Sequence, residues 1–133
     1  MIPSLYRLGA ALICAGALLA TATPAAADAG YPAKPIRLVV PYAAGGPTDT
    51  FARALAAGWS RQLKAQIVIE NRTGAGTLVG TEYVSKATPD GYTLLLTTVA
   101  HAVNPSIHDA LPYRTIEDFA PVGLAARAPL VLV

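Results

Sequence analysis

The chain has 133 residues, a formal net charge of +2 and 14% charged residues. With no basic run and few aromatics set among its lysines and arginines, it lacks the footprint of a nucleic-acid binder. Its single cysteine, Cys14, lies in an N-terminal leader, so the rest has no disulfide framework, thiolate metal site or thiol nucleophile.

Residues 1–27 have the three-part layout of a secretory signal: Arg7, an apolar core over 8–20, and a small-residue close at Ala25-Ala-Ala27. The 13-residue core is short of the ~20 needed to span a bilayer, so export with cleavage is expected. Cys14 sits inside that core, and Ala11-Leu12-Ile13 before it lacks the small residue that lipidation requires. About a hundred residues remain after cleavage before Asp28, enough for one modest core.

The first element is a short apolar run, Ile36–Val40, of the kind that forms a parallel strand buried on both faces. A glycine-bearing turn follows, and then Phe51, Ala52, Leu55, Ala56, Trp59 and Leu63 recur at spacings of three and four. Arg53, Ala57, Ser60, Arg61 and Lys64 fall opposite, which predicts an amphipathic helix from near Thr48 to near Lys64. A second strand is expected at residues 67–69, a glycine-bearing loop at 71–76, and a weaker helix at 78–87. In that helix Val79, Tyr83, Val84 and Ala87 share a face, and Gly80 is a cost. Thr88-Pro-Asp-Gly91 is a turn, and residues 92–98 a third strand. Residues 103–119 read as irregular, broken at Asn104-Pro105 and Leu111-Pro112, and residues 120–133 as two further strands. The last of these runs, Pro129-Leu-Val-Leu-Val133, has no turn or polar tail after it. Such an ending leads us to expect a piece of something longer, or the product of a truncated gene.

Strand and helix alternating at this spacing predict right-handed βαβ units and a parallel sheet. Ligands of such sheets bind beyond the carboxyl ends of the strands, here the loops at residues 41–48, 71–77 and 98–105. The loops lack familiar catalytic signatures. No lysine lies between Lys34 and Lys64, so a Walker phosphate loop is excluded. Gly74-Ala-Gly-Thr-Leu-Val-Gly80 misses the dinucleotide fingerprint by one residue and follows the second strand. No G-x-S-x-G elbow occurs, and His101 and His108 have no carboxylate cluster to complete a metal site. What remains is binding through the backbone. Gly45 and Gly46 permit a tight turn that brings N–H groups towards a ligand, and either Gly46, with Pro47 at the first position, or Thr48 caps the helix. Both registers aim free donors at the crevice, which suits a small carboxylate. Asp49 has two readings: a structural cap of the first turn, or a group that reaches a ligand's amino group.

Several stretches, in order, carry a resemblance: Tyr31-Pro-Ala-Lys-Pro-Ile-Arg-Leu-Val-Val-Pro-Tyr-Ala-Ala-Gly-Gly-Pro-Thr-Asp49, Val68-Ile-Glu-Asn-Arg-Thr-Gly-Ala-Gly76, and Ala87-Thr-Pro-Asp-Gly-Tyr-Thr-Leu-Leu-Leu96. Asn104-Pro105, Leu111-Pro-Tyr113 and Asp118-Phe-Ala-Pro-Val122 complete the set. Together they resemble the Bug proteins, the TctC-type extracytoplasmic receptors of tripartite tricarboxylate transporters. Thr77-Leu-Val79 departs from the family's glycine-asparagine-hydrophobic run, and the family's receptors are more than twice as long. The resemblance implies an α/β parallel-sheet βαβ lobe of a type II periplasmic-binding-protein fold, with residues 28–133 as part of the first lobe and the second lobe missing. It also implies a cofactor-free receptor, monomeric when complete, that hands a small carboxylate to membrane permease subunits. Carried over, the ligand-binding positions are Tyr42, Ala43, Ala44, Gly45, Gly46, Thr48 and Asp49 after the first strand, with Thr98, His101 and Asn104 after the third. An enzyme of the doubly wound type, and a non-functional truncated product, are the competing readings.

Overall fold

The computed structural model describes residues 30–127. The leader at residues 1–27 and the apolar run at 129–133 lie outside the described residues. Three strands, β1 (Ile36–Val40), β2 (Ile67–Asn71) and β3 (Thr93–Leu95), form one parallel sheet in the order β2-β1-β3. β1 is central, with Leu38 opposite both Ile69 and Leu94. As its near-continuous apolar character predicts, Ile36, Leu38, Val39 and Val40 are all buried. Arg37 alone emerges, at the face where it pairs with Glu70 at 3.1 Å.

Helix α1 (Pro47–Leu63) crosses from β1 to β2 and seats Ala52 and Trp59 on a core of Leu38, Val40, Ile67, Ile69, Leu94 and Leu96. Small residues bring the helix close: Ala52 and Ala56 are the buried positions, whereas Phe51 and Leu63, assigned to the same stripe, are exposed at the stripe's edges. Lys64 ends α1 in the left-handed conformation.

A short 3-10 turn (Ala75–Thr77) leads into α2 (Leu78–Ser85), which packs on β1 and β3. The packed face of α2 differs from the expected one. Val79 is exposed, and the buried residues are Gly80 and Thr81. A Cβ on Gly80 would lie 2.7 Å from the Arg72 carbonyl and 2.8 Å from Pro41 Cβ, so the glycine is what lets α2 approach the loop after β1.

β3 is shorter than expected, although the Leu96 amide still donates to the Val39 carbonyl at 2.9 Å. The largest correction concerns the segment read as irregular, where helix α3 (Ala100–Ile107) contains Asn104-Pro105. A proline inside a helix costs one donor and crowds the carbonyl four residues back. In an eight-residue helix that affects a single carbonyl, and the buried Asn104 side chain anchors the turn. No strand is formed at residues 120–127.

Candidate functional site

All three strands run the same way, so the loops after β1, β2 and β3 gather at one end of the sheet. There Pro41, Tyr42 and Ala43 face residues 73–77 and Ala100 across a shallow depression of about 510 Å³. No charged residue lines it.

The turn after β1 has a definite backbone design. Gly45 has φ +80°, the region where a side chain is strained, while Gly46 is extended (φ −75°) and caps α1 with Pro47 next. Of the two registers open in the sequence, the Gly46 cap is the one formed. Its carbonyl accepts from the Thr50 amide at 2.9 Å.

The two glycines do not, however, offer their own amides to the depression. Gly45 N–H donates to Asp49 Oδ2 at 2.8 Å, and Gly46 N–H to the Ala43 carbonyl at 3.2 Å. Their part is to shape the turn. Among the described residues, the amides of Ala43, Ala44, Thr48 and Asp49 make no hydrogen bond. Thr48 and Asp49 lie in the first turn of α1, where backbone donors have no intrahelical partner and the helix dipole is positive.

Asp49 as a residue is 1% exposed, with its carboxylate turned inward. Oδ2 accepts from Gly45 N–H and Arg53 Nε, both at 2.8 Å, and Oδ1 accepts from Asn71 Nδ2 at 2.9 Å. The bond from Arg53, then those from Gly45 and Asn71, hold its pKa far below the usual carboxylate range, against a smaller upward push from desolvation. This geometry supports the structural reading of Asp49. It also moves Arg53, placed on the solvent side by periodicity, into the support of the turn: its guanidinium bends back one helical turn to Asp49.

The residues expected after β3 divide. The Thr98 hydroxyl meets the Tyr42 hydroxyl at 2.6 Å, joining the first and third loops. His101 is turned towards the chain beyond α3. Its Nε2 lies 3.0 Å from the Thr115 carbonyl, and its ring packs edge-on to Phe119 at 5.0 Å between centroids. Asn104, 2% exposed, is likewise withdrawn from the depression and donates to Thr77 Oγ1 at 3.2 Å. Two contributors were missed in the sequence. Asn71 and Thr77 bound the strand-end loop at residues 71–77, but the sequence pattern assigns neither a contact, whereas Thr77 is buried and links the second loop to α3.

The parallel α/β sheet, with an uncharged depression at its carboxyl end, matches part of solved periplasmic-binding-protein structures. Residues 51–133 match the model of the tripartite tricarboxylate transporter family receptor, TctC. The chain belongs to that family, whose members are transport receptors rather than enzymes. It is 43% identical over 123 residues to protein BugT of Bordetella pertussis, covering 89% of this chain and 37% of BugT. The structure of the periplasmic binding protein BugD aligns with a TM-score of 0.68 at 43% identity, covering 70% of this chain and 31% of BugD. That of MatC from Rhodopseudomonas palustris, with bound malate, aligns at 0.66 and 40% identity, covering 69% and 32%. The chain thus spans about a third of the length of the relatives it matches.

Proposed function

We propose that these residues form the carboxylate-anchoring part of an exported receptor that captures a small organic acid and presents it to the membrane subunits of a tripartite tricarboxylate-type transporter. The observation that carries the reading is the unpaired amide of Ala43, which lines a depression without charged side chains, with the unpaired amides of Ala44 and Thr48 in the same turn. Such donors suit one carboxylate group, held by the backbone and the helix dipole. MatC, a relative of similar fold, has malate bound, which supports a small carboxylate as the ligand class. The secretory pattern of residues 1–27 and the periplasmic description of BugD support the location.

A titration of the chain with malate, followed in ¹⁵N–¹H spectra, tests this. Shifts concentrated at Ala43, Ala44, Thr48 and Asp49 are expected. Gly46→Glu should abolish them, because its backbone is extended and its Cβ meets only the Ala43 carbonyl, at 3.2 Å, within 4 Å. The variant asks the Ala43 carbonyl to give by a few tenths of an ångström and sets a negative charge beside the donors. Loss of one hydrogen bond to a charged group costs about 1.5–3 kcal/mol, roughly ten- to over a hundred-fold in affinity. Arg61→Ala, an exposed change in the last turn of α1, should leave binding within about three-fold. Wild-type-like binding by a folded Gly46→Glu variant would refute the assignment.

A further inference from the structure

We propose that Asn71, acting with Asp49 and Arg53, is the positioning element that decides which backbone amides of the 42–49 turn stay free for an anion. Asn71 is the last residue of β2, and the neighbouring Arg72 amide donates to the Val40 carbonyl at 3.0 Å, so its backbone is fixed to β1. Its side-chain NH₂ donates to the Tyr42 carbonyl at 3.1 Å and to Asp49 Oδ1 at 2.9 Å, and its Oδ1 lies 3.4 Å from Arg53 Nη2. Asp49 in turn holds the Gly45 amide. The turn is therefore clamped at both ends, at the Tyr42 carbonyl and the Gly45 amide, and the amides of Ala43 and Ala44 between the clamps remain unspent.

Charge follows the same design. A lone carboxylate in the first turn of α1 would repel an anion at the amides of Thr48 and Asp49. Arg53 cancels it from outside the depression, since it does not line that surface. A neutral amide at position 71 serves where a carboxylate would not, because it donates to both oxygen acceptors at once. Asn71 and Arg53 thus shape the site without facing its ligand.

The ligand half of the test rests on the carboxylate reading; the other half does not. In the ligand-free chain, hydrogen exchange at the Gly45 amide should be slowed at least ten-fold relative to Ala43 and Ala44. Asn71→Ala should remove that protection while the amides of Val39 and Leu96, at the β1–β3 pairing, stay protected. Undiminished protection of Gly45 in Asn71→Ala would overturn the proposal. In the malate titration, Arg53→Gln should weaken binding several-fold, because it removes the cation that offsets Asp49. Arg53→Lys should stay within two-fold. The double variant Asp49→Asn/Arg53→Gln should bind more tightly than Arg53→Gln, because neither charge remains, yet stay short of wild type, because an amide at position 49 keeps only one of the two acceptor oxygens. A merely structural Arg53 would leave the double variant at least as weak as the single one, and that result also overturns the proposal. If malate perturbs nothing in the wild-type chain, the carboxylate reading fails, and the exchange measurement alone decides the role of Asn71.

Discussion

Two glycines inside helices carry opposite predictions. Gly80, in α2, has the Arg72 carbonyl and Pro41 against the place a Cβ would occupy, whereas nothing lies within 4 Å of that place at Gly58 in α1. Helix propensity alone says that alanine stabilises both, by up to about 1 kcal/mol. Packing reverses the sign at Gly80, where an added methyl overfills a close contact at a cost of about 1–3 kcal/mol. Urea midpoints should therefore fall for Gly80→Ala and rise slightly for Gly58→Ala. A rise for both would mean that α2 does not need its close approach to the loop after β1. Periodicity made Gly80 a weakness because it describes one helix at a time. The contact that makes it an asset comes from residues eight and thirty-nine positions away in the chain.

Among the elements, α3 departs most from its sequence. Asn104-Pro105 reads as a breaker, yet it lies within the helix, held by the Asn104 side chain on Thr77 Oγ1. Thr77 itself stands at φ +86°, an uncommon conformation for a β-branched residue, and its carbonyl accepts from the Thr81 hydroxyl at 2.9 Å. The 3-10 turn and α3 therefore depend on one another. Replacing Asn104 by alanine leaves the buried Thr77 hydroxyl short of a donor and should cost about 1–3 kcal/mol. Hydrogen exchange should show the loss first in α3 and only later in β1. Uniform loss across the sheet would show that Asn104 supports the whole fold rather than its own helix.

At the scale of the whole molecule, three carboxylates fasten turns and segments, and each titrates below its ordinary value. Asp49 is held down chiefly by Arg53, Asp90 chiefly by Lys34, and Asp118 chiefly by the Arg114 amide. Asp90 fastens the segment before β1 to the turn before β3 through Lys34 at 2.9 Å, and Asp118 closes the turn after Tyr113. The sign follows from linkage. Groups with depressed folded-state pKa values add stability that is complete above the unfolded value of about 3.9 and lost as pH falls through the folded values. Urea midpoints should stay level from about pH 7 to 5 and drop progressively below about pH 4. Asp49→Asn should flatten part of that drop while lowering the midpoint at neutral pH; an unchanged acid limb in this variant would remove Asp49 from the account.

The strand of continuous apolar residues, the helix period from Pro47 to Leu63, and the parallel order of elements follow from local residue pattern, because burial on both faces or on one stripe leaves a direct trace in composition. That the loops after the strands gather at one end follows as well, since parallel strands share a direction. Which amides those loops leave free does not. It depends on Asn71 reaching Tyr42 and Asp49 across 29 and 22 positions. Hydrogen bonds between side chains far apart in sequence leave no periodic signal. Only the tertiary structure, by setting β2 beside β1 and α1 across both, decides where the turn's donors point.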